Sequence, residues 1–233
     1  MLKTYQNNHQ LTQSLAQYLL QLSEEAIDST GKFTIALSGG SALDLLGEAV
    51  ASQQSRAKIN AKSWHVFWAD ERCVPFDSKQ SNYAAAKENL LDTINIPPSQ
   101  VHPVNTALSP QEAAEDYEKK IAAVLGNIPP TMPRFDLIIL GFGGDGHTAS
   151  LFPHHKLIEE QSKAVASLDD SPKLPLQRVT LTLGAINNAR NIAIIAAGRE
   201  KYEIAISSDM SLPIKMVNPA DGNLRWFVSE SSN

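Results

Sequence analysis

Short apolar runs alternate along this chain with longer segments in which apolar residues recur at helical spacing. Short runs rich in β-branched residues are typical of buried strands, and apolar residues at i, i+3, i+4 and i+7 are typical of helices. The predicted strands are 33–37, 64–69, 136–140, 179–183, 192–197 and 224–228. The predicted helices are 11–27, 82–94, 110–126 and 185–190, with two more that begin at Ser41 and near Glu200. Residues 141 to about 177 follow neither pattern and are predicted to be irregular. The alternation predicts an α/β fold, with an open, mostly parallel, Rossmann-like sheet flanked by helices on both faces.

Two of the predicted helices begin with capping signals. Ser41 is followed three residues later by Asp44, which resembles a capping box. Ser109, Pro110 and Glu112 supply an N-cap serine, a proline at the first helical position and a glutamate at the third. We therefore expect a side-chain cap at both helix starts.

Composition restricts the kind of protein and its partners. The 233 residues are 42% hydrophobic, which suits one domain spanning 1–233 with a substantial core. A net charge of −5 without a basic stripe argues against a nucleic-acid partner, whereas local cations could still hold a small anion. A single cysteine, Cys73, excludes an intramolecular disulfide and favours a reducing compartment. Residues 1–10 lack an apolar core, and no stretch approaches the length of a membrane span. We expect a cytoplasmic protein with no membrane partner; its oligomeric state stays open, and a monomer is compatible with the sequence.

The glycine-rich segment after the strand 136–140 carries the most informative chemistry. It reads Gly141-Phe142-Gly143-Gly144-Asp145-Gly146-His147. Glycines let the backbone approach a ligand closely, and histidine titrates nearest neutral pH. Asp145 and His147 therefore suggest a catalytic arrangement. The alternative is a tight turn in which both side chains only satisfy backbone groups.

The same segment matches the G-x-G-x-x-G pattern of dinucleotide-binding proteins. That pattern requires a helix directly behind the glycines, so that the helix N-terminus reaches the pyrophosphate. Here Pro153 follows soon after the glycines, and Asp145 would repel a pyrophosphate. We therefore do not expect a nucleotide cofactor.

Four unusual segments follow predicted strands. They are Ser38–Ser41, Asp70–Arg72, Gly141–His147 and Gly198–Lys201. In a parallel sheet the carboxyl ends of the strands lie along one edge, where open α/β proteins bind ligands. These segments are therefore expected to share one crevice.

Each of these segments has a binding interpretation and a structural one. Ser38-Gly39-Gly40-Ser41 presents backbone N–H groups at a helix start, which favours a single phosphate, but it also suits a plain strand-to-helix turn. The Arg72 guanidinium matches a phosphate or oxyanion, or forms a surface ion pair with Asp70 or Glu71. Lys201 is by itself typical of a solvated lysine. Arg178 precedes its predicted strand, so the topology does not bring it to the active edge.

Cys73 and two histidines offer further chemistry that we consider less favoured. A cysteine beside Arg72 can have a lowered pKa and act as a nucleophile, but no independent feature supports this, and we favour an inert, partly buried thiol. His154 and His155 follow His147, yet the spacing matches no standard metal-binding pattern. We expect no metal site.

Taken together, these motifs resemble the 6-phosphogluconolactonase family, within the broader group that contains glucosamine-6-phosphate deaminase. The resemblance spans nearly the whole chain. It rests on Ser38–Ser41, Asp70-Glu71-Arg72-Cys73-Val74-Pro75, Ser81-Asn82-Tyr83, the segment from Gly141 to Pro153, Arg178-Val179-Thr180 and Trp226-Phe227.

The resemblance implies hydrolysis of 6-phosphoglucono-1,5-lactone to 6-phosphogluconate, in the oxidative pentose phosphate pathway, without metal or cofactor. On this basis His147 would be the general base that activates water, Asp145 would support it, and Arg72 would face the reacting or the phosphate end. The remaining implied substrate-binding residues are Ser38, Gly39, Gly40, Ser41, Asp70, Arg178 and Lys201.

Some positions depart from the family pattern, and two other functions use the same framework. Gly144 stands where proline is frequent, and we expect it to loosen the turn; Ala42 and Leu43 replace a common Thr-Pro pair, and Ser229 replaces a common acidic residue. A deaminase would carry a glutamate where Phe152 stands, and a phenyl ring cannot relay a proton. A sugar-phosphate sensor without catalysis is the other alternative, although it would have no reason to keep both Asp145 and His147.

Overall fold

The carboxyl ends of the parallel strands lie along one edge of the sheet, as the alternation of apolar runs and helical segments predicted. The computed structural model describes residues 1–128 and 131–231, and within these ranges nine strands form two sheets. The strands are β1 (Leu2–Tyr5), β2 (Phe33–Leu37), β3 (Trp64–Trp68), β4 (Asp70–Arg72), β5 (Leu137–Leu140), β6 (Val165–Leu168), β7 (Arg178–Leu181), β8 (Asn191–Ala197) and β9 (Asn223–Ser229). The α-helices are α1 (Asn8–Thr30), α2 (Ser41–Ala51), α3 (Gln53–Lys58), α4 (Asn82–Ala86), α5 (Asp92–Ile94), α6 (Pro110–Leu125), α7 (Leu183–Asn187) and α8 (Arg199–Ile206). A π-helical turn, Lys87–Leu91, joins α4 to α5, and short 3₁₀ turns lie at Ala61–Ser63, Pro98–Gln100, Lys156–Glu159 and Pro213–Met216.

The larger sheet has six parallel strands in the order β1-β9-β8-β5-β2-β3. Its central strands are buried on both faces, which is why they read as continuous apolar runs. Side chains alternate between the faces: Ile138 and Leu140 belong to one core cluster, and Leu137 and Ile139 to the other. The first cluster includes apolar residues of α6, and the second includes those of α1 and α2. The predicted α/β fold, with a parallel sheet covered on both faces, is confirmed.

A smaller antiparallel sheet, in the order β4-β7-β6, was not predicted. Asp70–Arg72 is a strand rather than a turn, and residues 141–177 are not wholly irregular because they contain β6. Both strands are short, and neither shows a long apolar run. In this sheet Arg72 lies directly opposite Arg178. Antiparallel pairing thus brings the start of β7 beside the end of β4, which the expectation from parallel topology alone did not allow for.

The two expected helix caps have different outcomes. Ser109 and Glu112 form the predicted capping box at the start of α6. The predicted cap at Ser41 is wrong: Gly40 is the N-cap of α2, with φ at 67°, and no side chain of the described residues caps that end. The Ser41 hydroxyl instead accepts a hydrogen bond of 2.6 Å from Nζ of Lys201. The N–H of Leu43 donates to the carbonyl of Gly40 over 2.9 Å, so the N–H groups of Ser41 and Ala42 are the ones left for other partners.

The order of the strands places a crevice between β2 and β5. From β2 the chain moves outward to β3 at the sheet edge, and then returns past β2 to form β5 on its other side. Ligands of open α/β proteins bind at such a change of direction, beyond the carboxyl ends of the strands. Among the described residues, no helix has both the length and the hydropathy needed to cross a membrane.

Candidate active site

A cleft opens at the carboxyl ends of β2 and β5. It is lined by Ser38, Gly39, Gly40, Ser41, Ala42, Asp70, Arg72, Gly141, Phe142, Gly143, His147, Ala149 and Lys201. The structure therefore brings the four predicted segments to one cleft, and Lys201 contacts Ser41 across 160 positions of sequence. Two predicted site residues do not line it: Asp145 lies behind His147, and Arg178 is buried, with 3% of its surface exposed.

The glycine turn holds His147 by backbone hydrogen bonds. The N–H of Gly143 donates to the carbonyl of His147 over 3.0 Å, and the N–H of Gly146 donates to the carbonyl of Gly143 over 2.9 Å. Gly146 has a φ of 78°, in the left-handed region that favours glycine. The apolar run of β5 therefore ends in a tight turn that returns the chain at His147.

His147 and Asp145 form a hydrogen-bonded pair. Nδ1 of His147 and Oδ1 of Asp145 are in direct contact. An ionised carboxylate can only accept, so Nδ1 carries the proton and Nε2 keeps its lone pair. Burial is the main influence on the imidazole and lowers the pKa of His147 below its usual value, although Asp145 opposes this effect. Burial also opposes ionisation of Asp145, but hydrogen bonds from His147 and Lys173 outweigh it and lower the carboxyl pKa to about 2. Near neutral pH the pair is thus a neutral imidazole supported by a carboxylate, which is the state required of a general base.

Phe152 supports the imidazole from one side. Its ring lies 4.7 Å from the ring of His147, centroid to centroid, and the planes differ by 28°. The guanidinium carbon of Arg178 lies 5.5 Å from the Phe152 centroid. Phe152 is 1% exposed, so its ring is held by the core and restricts the orientation of His147.

Asp70 is the centre of a buried polar network beside the cleft. Its Oδ2 accepts a 2.8 Å hydrogen bond from Ser150, and its Oδ1 accepts a 3.3 Å bond from Nδ2 of Asn82. Nη1 of Arg178 donates to Ser150 over 3.4 Å. Ser150 and Asn82 lie within the motifs that carry the family resemblance, but nothing in the sequence assigned them a role. The network fixes Asp70 as it enters the cleft.

Two of the residues that line the cleft carry donors that make no hydrogen bond within the described part of the chain. The Ser38 hydroxyl is buried and makes no hydrogen bond within the described residues, and neither does Nε of Arg72, which lies 3.9 Å from Oδ2 of Asp70. Nη1 of Arg72 donates to the carbonyl of Gln80 over 2.9 Å, which holds the guanidinium in place. Burial lowers the pKa of Lys201. These groups leave positive charge and unused donors for an anion.

Two glycines, one that lines the cleft and one in the adjoining glycine turn, leave room for particular side chains. A Cβ on Gly39 would lie 2.0 Å from Oδ1 of Asn82, so glycine is needed for the close approach of this loop. A Cβ on Gly144 would lie 2.0 Å from Oε1 of Glu200. In this chain the Glu200 carboxylate therefore packs where the more frequent proline would stand.

The remaining candidates do not assemble a second reactive centre. Burial raises the pKa of the Cys73 thiol to about 11, with a contribution from Glu71, so the thiolate is scarce at neutral pH. Nε2 of His155 bonds to Oδ1 of Asp170 over 3.0 Å. Within residues 1–128 and 131–231, no group of three or more His, Cys, Asp or Glu side chains is arranged to hold a metal ion.

The chain is similar to known proteins over nearly its whole length. A family profile described as glucosamine-6-phosphate isomerases/6-phosphogluconolactonase matches residues 6–226. The 6-phosphogluconolactonases of Rattus norvegicus and Bos taurus are 38% and 40% identical to this chain. Each alignment covers 100% of this chain and 92% of the relative. Among solved structures, 6-phosphogluconolactonase from Thermotoga maritima is 29% identical, covers 98% of this chain and 99% of its own, and superposes with a TM-score of 0.82. The 6-phosphogluconolactonase from Trypanosoma brucei is 27% identical to this chain. Its alignment covers 98% of this chain and 95% of the Trypanosoma chain, with a TM-score of 0.83.

Proposed function

Because this chain belongs to the glucosamine-6-phosphate isomerase/6-phosphogluconolactonase family, we propose that it hydrolyses 6-phospho-D-glucono-1,5-lactone to 6-phospho-D-gluconate. The observation that carries the proposal is the position of the His147–Asp145 pair in the same cleft as Lys201, Arg72 and the Ser38–Ser41 loop. A base and an anion site at one crevice suit a substrate that has an ester at one end and a phosphate at the other.

The reaction needs only water and a positioned base, because a δ-lactone is an activated ester. Nε2 of His147 takes a proton from water while the water oxygen bonds to the lactone carbonyl carbon, giving a tetrahedral oxyanion. When the oxyanion collapses, the bond between that carbon and the ring oxygen breaks, and the imidazolium returns its proton to the departing oxygen. The products are a hydroxyl group and a carboxylic acid, which ionises to the carboxylate. Asp145 accepts from Nδ1 throughout and stabilises the imidazolium that forms.

The developing negative charge requires a donor. Arg72 lines the cleft, and its buried Nε makes no hydrogen bond among the described residues, so its guanidinium can serve the oxyanion or the phosphate. Backbone N–H groups of the glycine turn are the alternative oxyanion donors. Removing one such donor typically costs about 10²–10³-fold in rate.

The phosphate is assigned to the other end of the cleft. The eleven-residue helix α2 begins at Ser41 directly behind Gly40, and a helix N-terminus favours an anion. Lys201 reaches the same point through its hydrogen bond to Ser41, and the buried Ser38 hydroxyl beside it makes no hydrogen bond within residues 1–128 and 131–231. The resemblance adds Arg178 to the phosphate ligands, but its buried guanidinium does not line the cleft.

A coupled assay on freshly generated 6-phosphogluconolactone tests the activity. Because the lactone also opens spontaneously, the rate is compared with a control without enzyme. The His147→Ala variant is expected to lose about 10²–10⁴-fold in turnover, while its affinity for 6-phosphogluconate stays nearly unchanged. Full turnover by His147→Ala would remove the proposed base.

The same preparation separates the other two functions. Ammonia release from glucosamine 6-phosphate would favour a deaminase, which Phe152 argues against because its ring carries no transferable proton. Binding of 6-phosphogluconate without any hydrolysis of the lactone would favour a sensor. The cytoplasmic location stays a prediction from composition.

A further inference from the structure

Lys173, a residue that sequence motifs did not single out, lies against the His147–Asp145 pair. Its Nζ is 3.0 Å from Oδ2 of Asp145 and 3.3 Å from Nδ1 of His147. Lys173 does not line the cleft, and 47% of its side chain is exposed. Asp145 is thus held from two directions, with His147 at one carboxylate oxygen and Lys173 at the other.

The backbone of Lys173 is anchored by Arg178. Nη2 of Arg178 donates to the carbonyls of Lys173 and Leu174 over 2.9 and 3.2 Å, and Nε donates to the carbonyl of Pro175 over 2.9 Å. The Ser171 hydroxyl donates to the same Lys173 carbonyl over 2.8 Å. A buried guanidinium that is committed to these carbonyls holds a loop in place, and the loop carries the ammonium to Asp145.

We propose that Lys173 is a positioning residue for the reaction, which fixes the Asp145 carboxylate and opposes protonation of His147, and that Arg178 serves as its anchor rather than as a phosphate ligand. The proposal rests on the proposed function, since it concerns the same general base. Lys173 approaches the Nδ1 side of the ring, where Asp145 also lies, so it does not compete for the lone pair on Nε2.

Several charged groups surround His147, and the Lys173 ammonium is in direct contact with its ring. Asp145 contacts Nδ1 directly, and Asp70 contributes a second, more distant negative charge. Arg178 lies beyond the Phe152 ring, and Arg72 and Lys201 line the cleft. Burial is the largest influence lowering the pKa of His147, Asp145 raises it, and the Lys173 ammonium lowers it further.

Loss of the ammonium therefore has a defined sign. Without the Lys173 ammonium the His147 imidazolium is more stable. As the pH is lowered, His147 is therefore protonated at a higher pH than in wild type. A unit charge at this distance in a solvated setting corresponds to an upward shift of about 0.5–1 pH unit. Asp145, whose pKa is about 2, stays ionised near neutral pH even if that pKa rises. The variant should thus differ from wild type only on the acid side.

The experiment compares Lys173→Met with Lys173→Arg, which keeps the charge, and with Lys58→Met, which removes an exposed lysine of α3 in a separate groove. For each protein, kcat/KM is measured across the acid limb, and the His147 ring is titrated by NMR. We expect Lys173→Met to move both the acid limb of kcat/KM and the midpoint of the His147 titration to higher pH. At pH values where His147 is largely protonated, kcat/KM should fall by about 3- to 10-fold relative to wild type. Lys173→Arg and Lys58→Met should follow wild type.

An unshifted His147 titration in Lys173→Met would overturn the proposal, and so would a loss of kcat/KM at every pH without any shift of the acid limb, which indicates a structural role alone. The NMR titration needs no turnover. If wild type fails to hydrolyse the lactone, the proposed function falls, whereas the effect of Lys173 on His147 is still measured.

Arg178→Lys tests the anchor. It keeps the positive charge but cannot contact the same set of carbonyls, so it should shift the His147 titration in the same direction as Lys173→Met. The preference for 6-phosphogluconate over gluconate, measured as a ratio of Kd values, should stay as in wild type. A collapse of that ratio would assign Arg178 to the phosphate instead. Should Arg178→Lys not fold, the Lys173 variants still decide the role of Lys173.

Discussion

Gly143 lies so close to His147 that a Cβ on Gly143 would stand 2.3 Å from Cε1 of the imidazole and 2.5 Å from Nδ1. The same atom would lie 2.7 Å from Oδ1 of Asp145. Gly143 has no positive φ among the backbone angles of the described residues, so the requirement for glycine here is one of space rather than of backbone conformation. The backbone of the turn at Gly143 thus packs directly against the imidazole ring of His147.

Gly143→Ala is therefore expected to displace the His147–Asp145 pair. A displacement of about 1 Å in a catalytic group costs about 10²-fold in kcat. The affinity for 6-phosphogluconate should change little. Gly184→Ala in α7 is the matched control, since its Cβ would lie 3.2 Å from the mobile end of the Met132 side chain. Steady-state kinetics on both variants check the expectation. Wild-type kcat in Gly143→Ala would contradict the close contact.

Phe152→Leu tests whether the ring beneath His147 orients the base. Removing the stacked ring should lower kcat and cost about 0.5–1.5 kcal/mol from the lost aromatic contact. Phe33→Leu removes a ring that packs on Trp64, with centroids 5.0 Å apart, in the other core cluster. It should lose comparable stability, measured by urea unfolding, and keep its kcat. Equal kcat values in the two variants would show that Phe152 serves only packing.

Lys201→Met tests the anion end of the cleft. Charge-assisted hydrogen bonds contribute about 1.5–3 kcal/mol, so the Kd of 6-phosphogluconate should rise by about 10- to 100-fold, whereas the Kd of gluconate should stay nearly constant. Isothermal titration with both ligands measures this difference, and Lys58→Met serves as the charge control. If both ligands weaken equally, Lys201 does not bind the phosphate.

The reactivity of Cys73 tests whether a thiol takes part. With a pKa of about 11, against about 8.5 for free cysteine, the thiolate fraction at neutral pH is smaller by about 10²-fold. Alkylating reagents should modify Cys73 slowly, and Cys73→Ser should keep the wild-type kcat. Rapid modification accompanied by stoichiometric loss of activity would restore the cysteine as a nucleophile.

The strands that were predicted best are those whose environment is simplest. β2 was predicted at 33–37 and is found at Phe33–Leu37, and β5 was predicted at 136–140 and is found at Leu137–Leu140. Both are buried on each face, so their apolar runs reflect burial directly. β6, with the sequence Val-Ala-Ser-Leu, and β4, with the polar sequence Asp-Glu-Arg, are not continuous apolar runs and give no such signal. They are strands because β7 pairs with both of them.

Among the candidate site residues, the chemistry was visible locally but the partnerships were not. Asp145 and His147 stand two positions apart, so their pairing needs only the glycine turn. Lys173 lies 26 positions from His147 in sequence, in a stretch predicted to be irregular, and only the packed structure brings its ammonium to the carboxylate.

By itself, the sequence determined the parallel α/β framework, the strand ends that bear glycines and charges, and the placement of Asp145 and His147 in one glycine-rich turn. These properties follow from burial periodicity and from residue chemistry, which are local. The tertiary structure alone decided that Ser41 receives Lys201 instead of capping its helix, that Arg178 lies opposite Arg72, and that Lys173 stands beside Asp145. Such contacts depend on which distant backbone segments pack together, and no short-range pattern records that choice.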